Sequence, residues 1–310
     1  MPGLGSRGKA MTAPQDGAAA IPAPRRYPAS DEFPTGPGIG DAFPAAALRD
    51  QHGEPVHLPD AAVGQPALVV FHRSARWCAF CRTQLLHLQQ HLPAFEAAGV
   101  ALFAVSYDSV PTLAEFAGEH GITYPLLSDE GSHLIRRLGI LNDLVRPDED
   151  VYGIPYPGAY ALSASGHVLR KYFYRHYRDR PSPLGVLREA FAAEVDLSAC
   201  AGAEVVRAGL RVTARLADRV LVPHQHTPLY VQVAPAVACE VQVTGEGLEV
   251  GEPLPMTAPG GTAFAVPLLL PSLEQDAIDV AVTVTPVGQS PVHLALRLAV
   301  PGLNRSTPAR

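Results

Sequence analysis

The chain is poor in the features that staple a secreted protein, span a membrane or hold a polyanion. Four cysteines in 310 residues are too few for a disulfide-built extracellular scaffold. No apolar run approaches the ~20 residues that a membrane-crossing helix requires, so no membrane segment and no membrane partner are expected. Charged residues make up only 17%, and 24 Lys+Arg against 30 Asp+Glu give a formal net charge of −6. That balance argues against a surface built for nucleic acid. What is present is 47% apolar residues, the composition of a folded protein. At roughly 150 residues per domain, the length predicts two domains, each able to bury its own core.

The first segment predicts no domain. Pro, Gly and Ala supply 23 of residues 1–44, too little apolar surface to offset the entropy of ordering the chain. Arg7 and Lys9 precede small residues, as in a signal peptide. Yet no block of about 7–15 apolar residues follows, and no cysteine is available for lipid attachment. The expectation is a disordered arm with Met11 as an alternative start, and the bacterial cytoplasm as the default location.

From about residue 45 the pattern becomes regular. Ala67-Leu68-Val69-Val70-Phe71 is a continuous apolar run, the mark of a buried strand. Leu85, Leu88, Leu92 and Phe95 form one stripe of a helix over 79–97, with Gly99 just past its end. A second buried strand is predicted over 100–107. A helix then opens at Pro111 and ends at Gly121, followed by a short helix near 131–138. Residues 158–163 and 167–173 read as a hairpin around Ala164-Ser165-Gly166, and a last helix as 183–195. The order β, α, β, α, α, β, β, α predicts a mixed sheet flanked by helices over residues 45–199.

After Cys200 the apolar period changes from 3.6 to 2. Leu210 to Leu216, Ile278 to Val284 and Val292 to Val300 alternate strictly, with further strands expected near 228–235, 237–243 and 263–270. About seven short strands predict an antiparallel β-sandwich over residues 200–310.

The chemistry-bearing motif is Trp77-Cys78-Ala79-Phe80-Cys81, between the apolar strand and the amphipathic helix. A cysteine in the first turn of a helix faces unpaired backbone N–H groups and the positive end of the dipole, which favour thiolate over thiol. Arg73, Arg76 and Arg82 add positive charge nearby. Two intervening residues bring the second sulfur within reach of a disulfide, so one cysteine can attack a disulfide or peroxide and the other resolve the product. A zinc half-site is the rival chemistry. However, His87 and His91 complete only a C-x2-C-x5-H-x3-H pattern, too short for a finger and all on one helix. An inert core pair is poorly placed at a helix start beside three arginines.

With these residues in view, the stretch from Val69 to Cys81 resembles the active-site region of thioredoxin-fold redoxins. Val105-Ser106-Tyr107-Asp108, Tyr124-Pro125-Leu126-Leu127-Ser128-Asp129 and Tyr152-Gly153-Ile154-Pro155-Tyr156-Pro157-Gly158 are similar to the peroxiredoxin-like AhpC/TSA branch, over residues 37–195. The resemblance implies a thioredoxin-like fold, no cofactor and no metal. It also implies Cys78 as nucleophile, Cys81 as resolving thiol, Trp77 as a packing and docking neighbour, and Pro157 as a cis-proline beside the sulfurs. One departure matters. Peroxiredoxins carry P-x-x-x-[TS]-x-x-C, and counting back from Cys78 finds Phe71 and Ala75 at the proline and hydroxyl positions. The expected reaction is therefore thiol–disulfide exchange, with a thiol peroxidase and a non-enzymatic interaction protein as alternatives. The substrate would be a protein disulfide or a hydroperoxide, and the electron donor a thioredoxin or a small thiol. This reading requires the cysteines to stand at a helix start, near Pro157 and within reach of solvent.

Weaker signals have bland readings. His224-x-His226 is expected in a solvated loop, and Cys200 and Cys239 as small buried hydrophobes rather than a disulfide. Arg170 to Arg178 mixes cations with aromatics, explained by a hairpin with one packed face, or by a border to the active site. Asp129 and Glu130 complement a helix dipole.

Overall fold

The computed structural model describes residues 35–60, 64–174, 176–207, 209–272 and 275–301. Strands β1 (Ala46–Arg49), β2 (Pro55–Leu58), β3 (Ala67–Phe71), β4 (Ala101–Ser106), β5 (Leu126–Ser128), β6 (Gly158–Leu162) and β7 (Val168–Phe173) form one sheet in the order β2-β1-β5-β4-β3-β6-β7. Strand β3 is central and every residue of it is buried, as a continuous apolar run demands. It pairs parallel with β4 and antiparallel with β6. The crossovers are α1 (Ala79–Ala97) and α2 (Val110–His120), and α3 (His133–Arg137) follows β5. This is the mixed, helix-flanked, thioredoxin-like arrangement expected for the first part of the chain.

Local chemistry sets the boundaries. Helix α2 stops where Gly121 turns left-handed at φ 65°. Helix α3 begins beneath Asp129, whose carboxylate accepts from the N–H groups of Leu134 (3.1 Å) and Ile135 (2.9 Å). Strand β6 opens on Gly158, where only glycine fits, because a Cβ there would lie 2.2 Å from the Phe173 ring. Helix α4, following the two-residue strand β8 (Arg180–Pro181), covers Pro183–Phe191 rather than reaching 195. It ends early because Ala192 adopts φ 50° and the Ala193 N–H closes back on Leu187 O.

The expected disordered arm needs correction over its last ten residues. Residues 1–34 lie outside the described residues, but 35–44 pack along β7. Gly40 N–H donates to Val168 O, and Phe43 N–H donates to Gly166 O. Phe43 is buried edge-to-face on Tyr160, whose hydroxyl donates to Thr35 O. Sequence composition hid this because one aromatic and a few backbone hydrogen bonds suffice to fasten a glycine-rich edge.

The later strands are β9 (Gly202–Arg207), β10 (Leu210–Leu216), β11 (Gln225–Ala234), β12 (Cys239–Gly245), β13 (Glu249–Val250), β14 (Leu254–Ala258), β15 (Gly261–Leu269), β16 (Ala277–Pro286) and β17 (Val292–Ala299). They form antiparallel sheets in the orders β13-β15-β11-β10-β9 and β12-β16-β17, with β14 on β15. The strands not located from the sequence are β9, half-exposed, and the short β13 and β14, whose apolar alternation is weak. Between the two sheets lies an aliphatic core. Strand β8 reaches out of the first half to pair parallel with β11, Gln225 opposite Arg180. Leu184 and Leu187 of α4 share one apolar cluster with Leu88 of α1, with Ala217 just past β10, and with Tyr230 and Ala265 of the later strands. No helix among the described residues is long and apolar enough to cross a membrane.

Candidate active site

Cys78 is the N-cap of α1, with extended backbone, and its Sγ accepts from the Cys81 N–H at 3.3 Å. The helix start therefore lies directly under this sulfur, as the sequence predicts, and its orphan N–H groups favour negative charge there. Cys78 and Cys81 are joined in a disulfide with a Cα–Cα separation of 5.2 Å.

A guanidinium stands at each sulfur. Arg73 Nη2 lies 3.5 Å from Cys78 Sγ, and Arg180 Nη2 lies 3.5 Å from Cys81 Sγ. Of the three arginines noted in sequence, only Arg73 does this. Arg76 is exposed, and Arg82 turns away to Ala75 O, to His120 and over the Phe116 ring. Arg180, 99 positions from Cys81, was not foreseeable from any local pattern. It is fixed by Gln84 Oε1 (2.6 Å) and the carbonyls of Tyr177 and Asp179 (both 2.7 Å). Burial, and then the neighbouring Arg73 charge, bring its pKa down to about 9. His72, wholly buried at the end of β3, is held neutral by desolvation and then by the Arg180 charge, with its pKa lowered to about 3. Neither ring nitrogen has a hydrogen-bond partner among the described residues. The cysteine pair thus sits between two cationic side chains, which favour thiolate over thiol.

Asp108 shapes the loop that leads into Cys78. Its carboxylate accepts from Ala75 N–H (2.7 Å), Ser74 Oγ (2.8 Å) and Ser106 Oγ (2.9 Å). Burial raises its pKa against those hydrogen bonds. The Ser74 hydroxyl is therefore committed to Asp108 and does not replace the hydroxyl missing at Ala75. Trp77 Nε1 donates to Tyr107 Oη at 3.1 Å, which gives the tryptophan its packing partner.

Two expectations fail here. The sulfurs are covered, Cys78 being 2% exposed and Cys81 0%. Over Cys78 lies Arg73, whose guanidinium sits 5.2 Å from the Trp77 ring centroid and 4.3 Å from that of Tyr177. Tyr177 and Arg178 pack on Phe80, and so does His224 at 5.3 Å between ring centroids. The cation–aromatic run, Arg170 to Arg178, thus borders the disulfide at its far end. The second failure is Pro157. Cis bonds occur at Leu58–Pro59 and Ala234–Pro235, and Tyr156–Pro157 is not among them. Trans is the lower-energy form of an X–Pro bond, and the residues before Pro157 are held by Tyr156 N–H to Ile140 O and Asn142 N–H to Ile154 O.

The His224-x-His226 loop is likewise not simply solvated. His224 Nδ1 and His226 Nε2 lie 3.6 and 3.4 Å from the buried Asp179 carboxylate, and His226 stacks on Tyr174. Burial works against that carboxylate, yet the hydrogen bonds from the two histidines outweigh it and hold its pKa below the usual range. Cys200 is buried and Cys239 half-buried, and both are free thiols.

The AhpC/TSA family model matches residues 39–171. Alkyl hydroperoxide reductase E of Mycobacterium tuberculosis H37Rv is 32% identical over 132 residues, which are 42% of this chain and 81% of that protein. Peroxiredoxin Bcp of Escherichia coli K12 is 31% identical over 124 residues, 40% of this chain and 75% of its own. A solved structure of peroxidoxin BcpB from Mycobacterium tuberculosis aligns with a TM-score of 0.40 at 21% identity, over 45% of this chain and 88% of that one. With relatives matched along three-quarters or more of their length, and a dithiol site at the start of α1, the chain belongs to the AhpC/TSA family of oxidoreductases.

Proposed function

We propose that the protein is a thiol-dependent peroxidase that reduces hydroperoxides through Cys78 and Cys81. The observation that carries this reading is the disulfide at the start of α1 with one guanidinium against each sulfur. It is supported by relatives named for alkyl hydroperoxide reduction and as peroxiredoxins. In the reduced protein the Cys78 thiolate attacks one peroxide oxygen. The O–O bond breaks, the leaving alkoxide takes a proton as alcohol or water, and Cys78 becomes a sulfenic acid. The Cys81 thiol then displaces water from that sulfur and forms the Cys78–Cys81 disulfide. Two equivalents of an external thiol, from a thioredoxin or a small thiol of the cytoplasm, restore the pair. With no hydroxyl at Ala75, Arg73 is the group left beside Cys78 to hold a peroxide oxygen. Half-buried Arg73, Trp77 and Phe80 must turn aside to admit the reductant. In this reading residues 45–199 are the catalytic unit and 200–310 a β-sandwich docked on it.

A second reading, dithiol–disulfide exchange with protein disulfides, is favoured by the one-turn spacing of the cysteines and by Ala75. Peroxide consumption with a thiol donor, run beside insulin reduction, separates the two. The peroxidase reading expects a peroxide-dependent rate, and in Cys81→Ser a sulfenic acid on Cys78 trapped by dimedone. Insulin reduction without peroxide-dependent oxidation of Cys78 would overturn it in favour of exchange.

A further inference from the structure

His87 and His91 stand one turn apart on α1, so their rings share a face of the helix. That face meets Asp218, just beyond β10. His87 Nε2 lies 3.0 Å from Asp218 Oδ2, His91 Nε2 lies 3.7 Å from Oδ1, and the two Nε2 atoms are 3.2 Å apart. Among the described residues this is the only group of three or more His, Cys, Asp or Glu side chains whose ligand atoms converge within 4.8 Å. Four ligands at the 2.0–2.1 Å bond lengths of Zn²⁺ stand about 3.3 Å apart at the corners of a tetrahedron, close to the 3.0 Å and 3.2 Å that separate His87 Nε2 from Asp218 Oδ2 and from His91 Nε2.

Both Nε2 atoms approach one carboxylate, each on a different oxygen, so three ligand groups share one small space. A cation beside them would take all three as ligands at once. The carboxylate is already oriented for it by Arg219 N–H (2.7 Å to Oδ1) and Gln225 Nε2 (3.1 Å to Oδ2), as outer partners orient metal ligands. The three residues line a cleft of about 670 Å³ shared with Gln90, Leu184, Glu194 and Cys200, leaving room for a solvent molecule as fourth ligand.

We propose that His87, His91 and Asp218 form a site for Zn²⁺ that ties α1 to the turn between β10 and β11. Two imidazoles and a carboxylate are borderline donors suited to Zn²⁺. The site owes nothing to Cys78 and Cys81, which can remain a disulfide while the ion binds. Sequence reasoning set the two histidines aside because the cysteines do not complete their set; the third ligand comes from 127 positions after His91 (218 − 91).

The test uses the full chain, oxidised at Cys78–Cys81 and stripped with a chelator. Zn²⁺ is titrated calorimetrically and Co²⁺ by visible absorption. The expected result is one ion per chain, a higher Tm with Zn²⁺, and a Co²⁺ spectrum without a thiolate charge-transfer band. His91→Gln and Asp218→Asn, which keep side-chain size, should each weaken Zn²⁺ at least about tenfold and abolish the Tm shift. The double variant Cys78→Ser/Cys81→Ser should bind as the parent does. No binding at millimolar Zn²⁺, a thiolate band, or affinity unchanged in both ligand variants overturns the proposal.

Discussion

Where β3 and β4 end, the first sheet runs into buried His72, Ser74, Ser106 and Asp108, whereas the core between the two later sheets is Leu, Val, Ile and Ala throughout. The later strands do bury polar groups, but among the described residues these are Asp218, Gln225 and Thr227, all in the stretch that meets α1 and β8. An interior that only has to hold together is aliphatic, because every buried polar atom must find a partner or destabilise the fold. In the later half, buried polarity therefore marks where the chain joins its two halves.

That contrast can be broken by mutation. The largest effect expected is from Cys78→Ser, which should reduce peroxide turnover to background in a steady-state assay while the far-ultraviolet circular dichroism stays unchanged. Leu298→Ala, in the aliphatic core, should do the opposite. It should destabilise the chain by about 2–5 kcal/mol in denaturant unfolding, with the rate per folded molecule retained. A smaller effect separates the halves by pH. The pKa of His72 falls from an ordinary 6.5 to about 3 in the fold. Between those values the unfolded chain binds a proton that the native state refuses, so stability declines as pH falls, by up to ~1.4 kcal/mol per pH unit. His72→Leu should flatten that slope. The finest test is Arg73→Met. Removing this charge should raise the pKa of reduced Cys78 by about one unit, read from the pH dependence of its alkylation rate. If alkylation stays unchanged, the guanidinium packs on the sulfur without stabilising a thiolate.

How far the sequence sufficed follows the same division. Apolar period located β3, α1, the β6–β7 hairpin and the alternating strands β10, β16 and β17, because local burial dictates those residues one by one. The cysteine pair was legible because its meaning lies in its position at a strand-to-helix junction. Arg180, Asp218 and Asp108 acquire their roles only from contacts 99, 131 and 33 positions away along the chain, to Cys81, His87 and Ala75, and no local pattern encodes these. The cis-proline expectation came from family resemblance alone, and the Tyr156–Pro157 bond is not among the cis bonds.

The two-residue pairing of β8 with β11 has a consequence for any shortened form of the protein. The stretch that presents Tyr177 and Arg180 to the cysteines is moored at its far end to a strand of the other half. Cutting the chain after residue 200 would remove that mooring, and the Ala217, Tyr230 and Ala265 side of the apolar cluster that Leu88 of α1 shares, and so unmoor one of the two counter-charges. A truncated enzyme should then have a weaker leaving group at Cys81 when its disulfide is reduced, making the C-terminal half a tuner of the thiol chemistry.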